Sequence, residues 1–338
     1  MTDSREAEME PVAPVDIAIA EDVWGRGFEA LRPRFSIHLV PAAWEDPGAL
    51  ARLVGSARAL VVRNRTMLTR SLLVGAPRLE VVARAGTGTD NIDLDAADEL
   101  GIVVVVAPGA NARSVAEHCL CLALALARDL EGHQRRLRQG LWERPLGVEL
   151  AGRTWGLVGL GATGGAMGRL ASSIGMKVLG YDPHIAEEAA PVPGFQRVDD
   201  LLEVAARADI VSLHVPLTHE SADLIGREFF EHMRPGAYLI NVARGGVLDE
   251  QALADALDAG RLAGAALDVR PREPPEPSRL EDHERVILTP HIAGLTHEAV
   301  EAVVTSLADD LSEVLSGAPA PHAVGRWRAP RPRSTPSS

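Results

Sequence analysis

The chain has 338 residues, 46% of them hydrophobic, enough for two domains of ordinary size with a core each. Its 34 basic against 47 acidic side chains leave a net charge of −13, which argues against nucleic acid, whose phosphates attract a basic surface. The most apolar run, Cys119 to Ala127, is about half the length a bilayer requires. The sequence start, with Asp3, Glu6, Glu8 and Glu10, lacks the basic stretch and apolar core of a signal peptide, so a cytoplasmic protein without a membrane partner is expected.

Short β-branched runs alternate with helical patterns throughout, the signature of parallel sheets with crossover helices. Strands are predicted near 15–20, 36–39, 59–62, 81–84 and 103–106, with short Gly- or Pro-punctuated spacers between them. A helix from Asp93 to Leu100 has Asp93 as its cap. Residues 114–130 read as a helix that is apolar on nearly every face between Cys119 and Ala127. Such a helix is usually buried, and its place between the two halves leads it through the domain junction. Cys119 and Cys121, two apart on it, point in different directions and read as unpaired core residues in a reducing compartment.

A second α/β unit begins at Thr154, with strands near 154–158, 177–181, 210–214, 237–241, 264–269 and 286–288. A last helix over 296–315 ends at Gly317. The tail 326–338 is basic and proline-rich and reads as disordered.

The chemistry concentrates in this second unit. Gly159-Leu-Gly161-Ala-Thr-Gly164 stands between a predicted strand and a helix from Gly164 to Ile174. There Gly159 permits the turn, Gly161 lets amides approach a pyrophosphate, and Gly164 allows close packing. Asp182, 18 residues after Gly164, ends the next strand and can accept from both ribose hydroxyls while repelling a 2′-phosphate. No arginine follows it, only Pro183 and His184, so NAD is favoured over NADP. Downstream come Asn241-Val-Ala-Arg244-Gly-Gly, then Ala266-Leu-Asp268-Val with Glu273-Pro-Pro, then Thr289-Pro-His291-Ile-Ala-Gly294. A guanidinium can clamp a carboxylate, and an imidazole backed by a carboxylate can pass a proton near neutral pH. Beside a nicotinamide ring, that combination leaves hydride transfer at a 2-oxo or 2-hydroxy acid. In the first stretch Gly86-Thr87-Gly88 offers amides for an anion, and Arg63, Arg65 and Arg84 form a basic cluster in an acidic chain.

These motifs, with Ala85-Gly86-Thr-Gly88-Thr-Asp90-Asn91-Ile-Asp93, Asn111-Ala-Arg113-Ser114-Val-Ala-Glu117-His118, Tyr181-Asp182-Pro183 and His214-Val-Pro216-Leu-Thr218, resemble the D-isomer-specific 2-hydroxyacid dehydrogenases. The likeness runs from about Asp16 to about Val324. It implies two doubly wound, Rossmann-like or flavodoxin-like parallel-sheet domains. A dinucleotide domain, 113–292, would be inserted in a split substrate domain, 1–112 and 293–325, without a regulatory domain after it.

By the same resemblance, Arg244, Glu273 and His291 are catalytic and no metal takes part. His291 is the general acid/base, Glu273 holds its imidazole and favours the charged form, and Arg244 binds the substrate carboxylate. The cofactor would lie against Gly159, Gly161, Ala162, Thr163, Gly164, Asp182, His214, Val215, Pro216, Thr218, Ala243, Asp268, His291 and Gly294, with Asp268 toward the carboxamide. Arg63, Asn64, Thr87 and Gly88, with Arg244 and His291, would bind substrate. Dinucleotide domains pair as homodimers in the family, and residues 115–127 and 141–150 with Trp142 are the candidate contact.

Glu273 also separates the chain from formate dehydrogenases, which pair this His with Gln. The pattern is broken in two places. Ala162 stands where the family often has Arg, and Arg270 and Arg272 flank Pro271 where an aromatic usually follows the Asp-Val pair. A buried aromatic replaced by Arg270 predicts a more open cleft or an extra anion contact. The implied function is NAD-dependent interconversion of a D-2-hydroxy acid and its 2-oxo acid, of phosphoglycerate or glyoxylate/hydroxypyruvate type. An NAD(H)-sensing, corepressor-like interaction protein on the same fold is the alternative.

Overall fold

The structure, a computed structural model, describes residues 14–185 and 194–331. The acidic start and the end of the tail, for which no leader and disorder are expected, lie outside the described residues. The chain forms two compact units, one from residues 111–296 (against the expected 113–292) and one from the chain on either side.

The first unit opens with β1 (Val15–Ile19), α1 (Arg26–Leu31), β2 (Ile37–Leu39), α2 (Pro47–Ser56), β3 (Ala57–Val62), α3 (Arg70–Val74), β4 (Val81–Arg84), α4 (Leu94–Leu100) and β5 (Val103–Val105). The second holds α5 (Ala112–Ala127), α6 (Leu130–Arg138), β6 (Thr154–Val158), α7 (Ala162–Ser173), β7 (Lys177–Tyr181), β8 (Gln196–Arg197), α8 (Leu201–Arg207), β9 (Ile210–Leu213), α9 (Arg227–His232), β10 (Ala237–Asn241), α10 (Glu250–Asp258), β11 (Leu262–Leu267) and β12 (Val286–Leu288). The chain then returns to the first unit with α11 (His297–Leu315) and β13 (Ala323–Val324).

The first sheet runs β13-β5-β4-β3-β1-β2, parallel except for β13, and the second, β12-β11-β10-β9-β6-β7-β8, is parallel throughout. Parallel sheets bury both faces, and the strands show it. In the first unit Ile17 and Ile19 join one core cluster while Ala18 joins the other. In the second, Trp155 and Leu157 face one way and Val158 the other. Helix α11 lays Val304, Leu307, Leu311 and Val314 on the first sheet's core at three- and four-residue spacing, and Gly317 follows it with φ +87°. No helix among the described residues is long and apolar enough to cross a membrane.

Three expectations are corrected here. Helix α5 is not buried all round: Ala116, Cys119 and Ala123 enter the core beside Trp155 and Met167, whereas Cys121 and Leu124 are exposed. A 16-residue helix on one side of a sheet has only one face to bury. The helix also stops at Ala127, because Asp129 takes a left-handed φ of +44° and starts α6 in a new direction. Residues 326–331, expected in a disordered tail, are held on the first unit. Arg326 N donates to Asp98 Oδ1 (2.7 Å), Trp327 Nε1 donates to Asp98 O (2.8 Å), and the Arg331 guanidinium covers the Trp327 ring.

Candidate active site

In the second unit Asn111–His118 opens α5, and the other motifs lie past the C-terminal ends of strands. The glycine fingerprint follows β6, Asp182 follows β7, His214 follows β9, Arg244 follows β10, Asp268 follows β11, and His291 follows β12. The strand order turns back between β6 and β9, the place where open α/β sheets bind dinucleotides.

Gly159 has φ +94°, and a Cβ there would meet His214 O at 2.7 Å, so only glycine makes this turn. Gly164 lies against the Gly159 carbonyl, again too close for a side chain. Gly161 faces open space and caps α7 without a side chain, so the first-turn amides of Ala162, Thr163 and Gly164 can receive a phosphate. Asp182 accepts from Leu160 N (2.8 Å) and His184 N (2.9 Å), which sets its carboxylate at the rim of that turn. These residues fit a dinucleotide: a glycine cradle, a helix N-terminus and an acid at the next strand end.

The segment after β9 is more structural than its motif implies. His214 is buried, and its Nε2 stands 2.8 Å from Ser212 Oγ, which accepts from Trp155 Nε1 at 2.8 Å. Burial pushes the His214 pKa down to about 3. What His214 presents to the fingerprint is its carbonyl and Cβ, not its ring. Val215 packs on the core beside it. Thr218 bonds with Ser221, whose hydroxyl donates to Pro216 O (2.6 Å), a turn closed on itself.

Asp268 is the hub of the last motifs. It is 1% exposed, and it accepts from Thr289 Oγ1 (2.5 Å), Ile292 N (2.9 Å) and Ala293 N (2.8 Å), with His118 Nε2 at 3.5 Å. Burial pushes its carboxyl up, but the bonds from His118, Thr289, Ile292 and Ala293 outweigh this and hold it below the ordinary carboxylate range. Its carbonyl also accepts from His291 N (2.8 Å). Asp268 thereby fixes the loop in which His291 adopts φ +56°, a left-handed conformation that side chains with a Cβ resist. Gly294 lies close against Asn111, where a Cβ would meet the amide at 2.7 Å.

Glu273 and His291 come together as the motifs imply, with His291 Nδ1 2.6 Å from Glu273 Oε2 and both side chains about one-third exposed. The other carboxylate oxygen accepts from Arg270 N (3.2 Å). With Nδ1 engaged, Nε2 is the nitrogen left for a substrate. Arg244 enters a short turn that Asn241 organises: Asn241 Nδ2 donates to Arg244 O (3.0 Å), and Asn241 Oδ1 accepts from Ala243 N (3.0 Å). Arg244 Nη1 donates to Ala243 O (2.7 Å).

Arg270 overturns an expectation. It neither opens a cleft nor faces an anion, being 9% exposed with its guanidinium bound by protein carboxylates. Nε and Nη2 donate to the two oxygens of Glu250 (2.6 and 2.9 Å), Nη1 donates to Glu281 (2.5 Å), and Nη2 reaches Ser278 Oγ (3.2 Å). The Glu250 pairing is the main reason its pKa lies above the ordinary arginine value. Glu281 is pushed up by burial and pulled further down, to about 2, by Ser278 and Arg270. The carboxylate partners of Arg270 lie 20 and 11 residues away from it, beyond what spacing reveals. Arg272 instead pairs with Glu276 at the surface.

In the first unit the other named residues also follow strand ends, Arg63-Asn64 after β3 and Thr87-Gly88 after β4. Sequence reasoning missed their organiser, Glu21: buried after β1, its carboxylate accepts from the backbone N–H groups of Arg63 (2.7 Å), Arg65 (3.2 Å) and Thr66 (3.0 Å). Asn91 Nδ2 adds bonds to Arg63 O (3.0 Å) and Thr66 O (2.7 Å). Burial holds the Arg63 pKa below its ordinary value. Arg84 is buried against Gly86, and Arg65 lies over the Trp44 ring at 4.9 Å.

Residues 120–293 match the family model described as the D-isomer specific 2-hydroxyacid dehydrogenase NAD binding domain. Over 284 residues, 83% of this chain and 54% of the relative, the sequence is 43% identical to the D-3-phosphoglycerate dehydrogenase of Methanocaldococcus jannaschii. The chain thus spans about half the length of the curated relatives it matches. A solved structure from Thermus thermophilus superposes with a TM-score of 0.84 at 33% identity, covering 91% of this chain and 99% of that one. The D-lactate dehydrogenase of Aquifex aeolicus, solved with NAD and lactic acid, gives 0.79 at 29% identity over 89% of this chain and 95% of its own. By its family match and its likeness to these proteins, the chain belongs to the D-isomer specific 2-hydroxyacid dehydrogenases.

Proposed function

We propose that the protein is an NAD-dependent oxidoreductase that interconverts a D-2-hydroxy acid and its 2-oxo acid. The observation that carries this reading is the Glu273–His291 pair at 2.6 Å, past the same sheet edge as the dinucleotide fingerprint. When bound, NADH supplies the hydride. For reduction, His291 starts protonated, with Nδ1 held by Glu273 and Nε2 toward the substrate. Nε2 gives its proton to the carbonyl oxygen as the carbon receives hydride, so one 2-oxo acid, one NADH and one proton become one 2-hydroxy acid and NAD. In oxidation the neutral imidazole takes that proton back. Arg244 binds the carboxylate and polarises the carbonyl.

The Gly159–Gly164 turn and Asp182 hold the cofactor's pyrophosphate and adenine ribose. Val215, Pro216, Thr218, Ala243, Asp268 and Gly294 line its remaining length. The flanking unit serves as substrate domain, contributing Arg63, Asn64, Thr87 and Gly88. Its cations, the half-buried Arg63 and the buried Arg84, favour an acid with a second anionic group, in keeping with the D-3-phosphoglycerate dehydrogenases among its relatives. We place the enzyme in the cytoplasm, and a homodimer paired through the NAD-binding unit is supported by the exposed apolar side chains of Leu124, Trp142 and Leu146.

The test is NADH oxidation against glyoxylate, hydroxypyruvate, phosphohydroxypyruvate, pyruvate, 2-oxoglutarate and oxaloacetate. Turnover, with preference for an acid bearing two anionic groups, is expected. Tight NADH binding with no turnover of any 2-oxo acid would refute the enzymatic reading and favour an NAD(H) sensor.

A further inference from the structure

Between Asp268 and His291 the chain makes a long excursion rich in proline, and Glu273 sits on it. A loop of this kind has few ladder hydrogen bonds of its own, so something else must hold the carboxylate within 2.6 Å of His291 Nδ1. Arg270 is placed to do so at three points. Its backbone N–H donates to Glu273 Oε1. Its carbonyl lies against Gly245, the residue after Arg244, so closely that any side chain at 245 would collide with it. Its guanidinium is clamped on two sides, by Glu250 in the first turn of α10 and by Glu281 with Ser278 at the far end of the loop. A bidentate pairing fixes orientation as well as distance, which an apolar anchor would not.

We propose that Arg270 is a positioning residue: clamped by Glu250 and Glu281, it fixes the loop that sets Glu273 against His291 and joins that loop to the turn carrying Arg244. The proposal rests on the reading of these three residues as the catalytic set. One buried cation then holds both sides of the site in register. Its contribution is to geometry, since it touches neither cofactor nor substrate. Misplacing a catalytic group by about an ångström lowers rates by ~100-fold, so a loosened loop has a measurable effect.

The experiment is proton NMR of the whole chain, following the His291 Nδ1–H resonance. A proton shared with a carboxylate at this distance resonates well downfield of the amides, and Glu273→Gln identifies it by removing it. Arg270→Met is expected to weaken or shift the resonance, and to lower kcat for 2-oxo acid reduction about tenfold while KM for NADH stays put. Arg270→Lys, which keeps the charge without the fork, should recover part of both. An unmoved resonance and unchanged kcat in folded Arg270→Met would overturn the proposal. Should Arg270→Met fail to fold, Glu250→Gln takes its place: a displaced resonance supports the clamp, and an unmoved one overturns it. Because the resonance is read without turnover, a failure of the enzymatic reading leaves this outcome distinct.

Discussion

Two histidines follow strands of the same sheet, and the structure treats them in opposite ways. His214, after β9, points into the core along the chain Trp155–Ser212–His214 and is kept neutral by burial. His291, after β12, is one-third exposed and backed by Glu273. Residue type and strand-end position are shared. What differs is the second partner, a hydroxyl for one ring and a carboxylate for the other. On the proposed reading His291 serves as the acid/base group because a carboxylate holds one ring nitrogen and the other is left toward the substrate.

The contrast is broken most severely by His291→Ala. Loss of the proton donor should reduce kcat for 2-oxo acid reduction by about 10²- to 10⁴-fold, with NADH affinity, measured by fluorescence titration, nearly unchanged. The same truncation at His214 should act on stability instead. Its pKa is about 3 in the folded chain against 6.5 for a free histidine, so between those values the unfolded state binds the extra proton. Its effect is absent above pH 6.5. As pH falls from there toward 3, stability is lost at up to about 1.4 kcal/mol per pH unit. Acid denaturation of His214→Gln should show a shallower slope; an identical slope would mean that His214 is not the group taking up the proton.

At the cofactor end, Asp182→Ala should weaken NAD preference over NADP by about tenfold, read as the ratio of kcat/KM values, because the carboxylate that repels a 2′-phosphate is gone. The smallest effect concerns α5. Burial pushes the Cys119 thiol up to about 12, whereas Cys121 is exposed. A maleimide at pH 7.5 should label Cys121 alone in the native chain. Double labelling would contradict the assignment of helix faces.

Much of this arrangement was legible in the sequence where the physics is local. In the second unit β6, β7, β10 and β11 announce themselves as apolar runs that reach a glycine, aspartate or asparagine, whereas the short polar β8 goes unannounced. His214 was expected against the cofactor, but its ring turns into the core beside Ser212. Helix α2 was harder to read, because Asp46-Pro47-Gly48 resembles a turn; in fact Asp46 caps the helix, accepting from Gly48 N (2.8 Å) and Ala49 N (3.2 Å), and Pro47 opens it. The break at Asp129 was hidden, since a left-handed aspartate carries no mark that glycine would. What could not be read at all were pairings between distant segments: Arg270 with Glu250 and Glu281, Glu21 with the Arg63 loop, His118 with Asp268. Each depends on which strand ends the fold makes neighbours.

The most direct test of the account is kcat/KM for 2-oxo acid reduction in the wild type and in Glu273→Gln, with NADH affinity measured in both. Glu273 holds the His291 imidazole through Nδ1 at 2.6 Å, so removing its carboxylate should lower kcat/KM by about tenfold or more while NADH binding stays nearly unchanged. Equal kcat/KM in a folded Glu273→Gln would contradict the claim that Glu273 and His291 work as a pair.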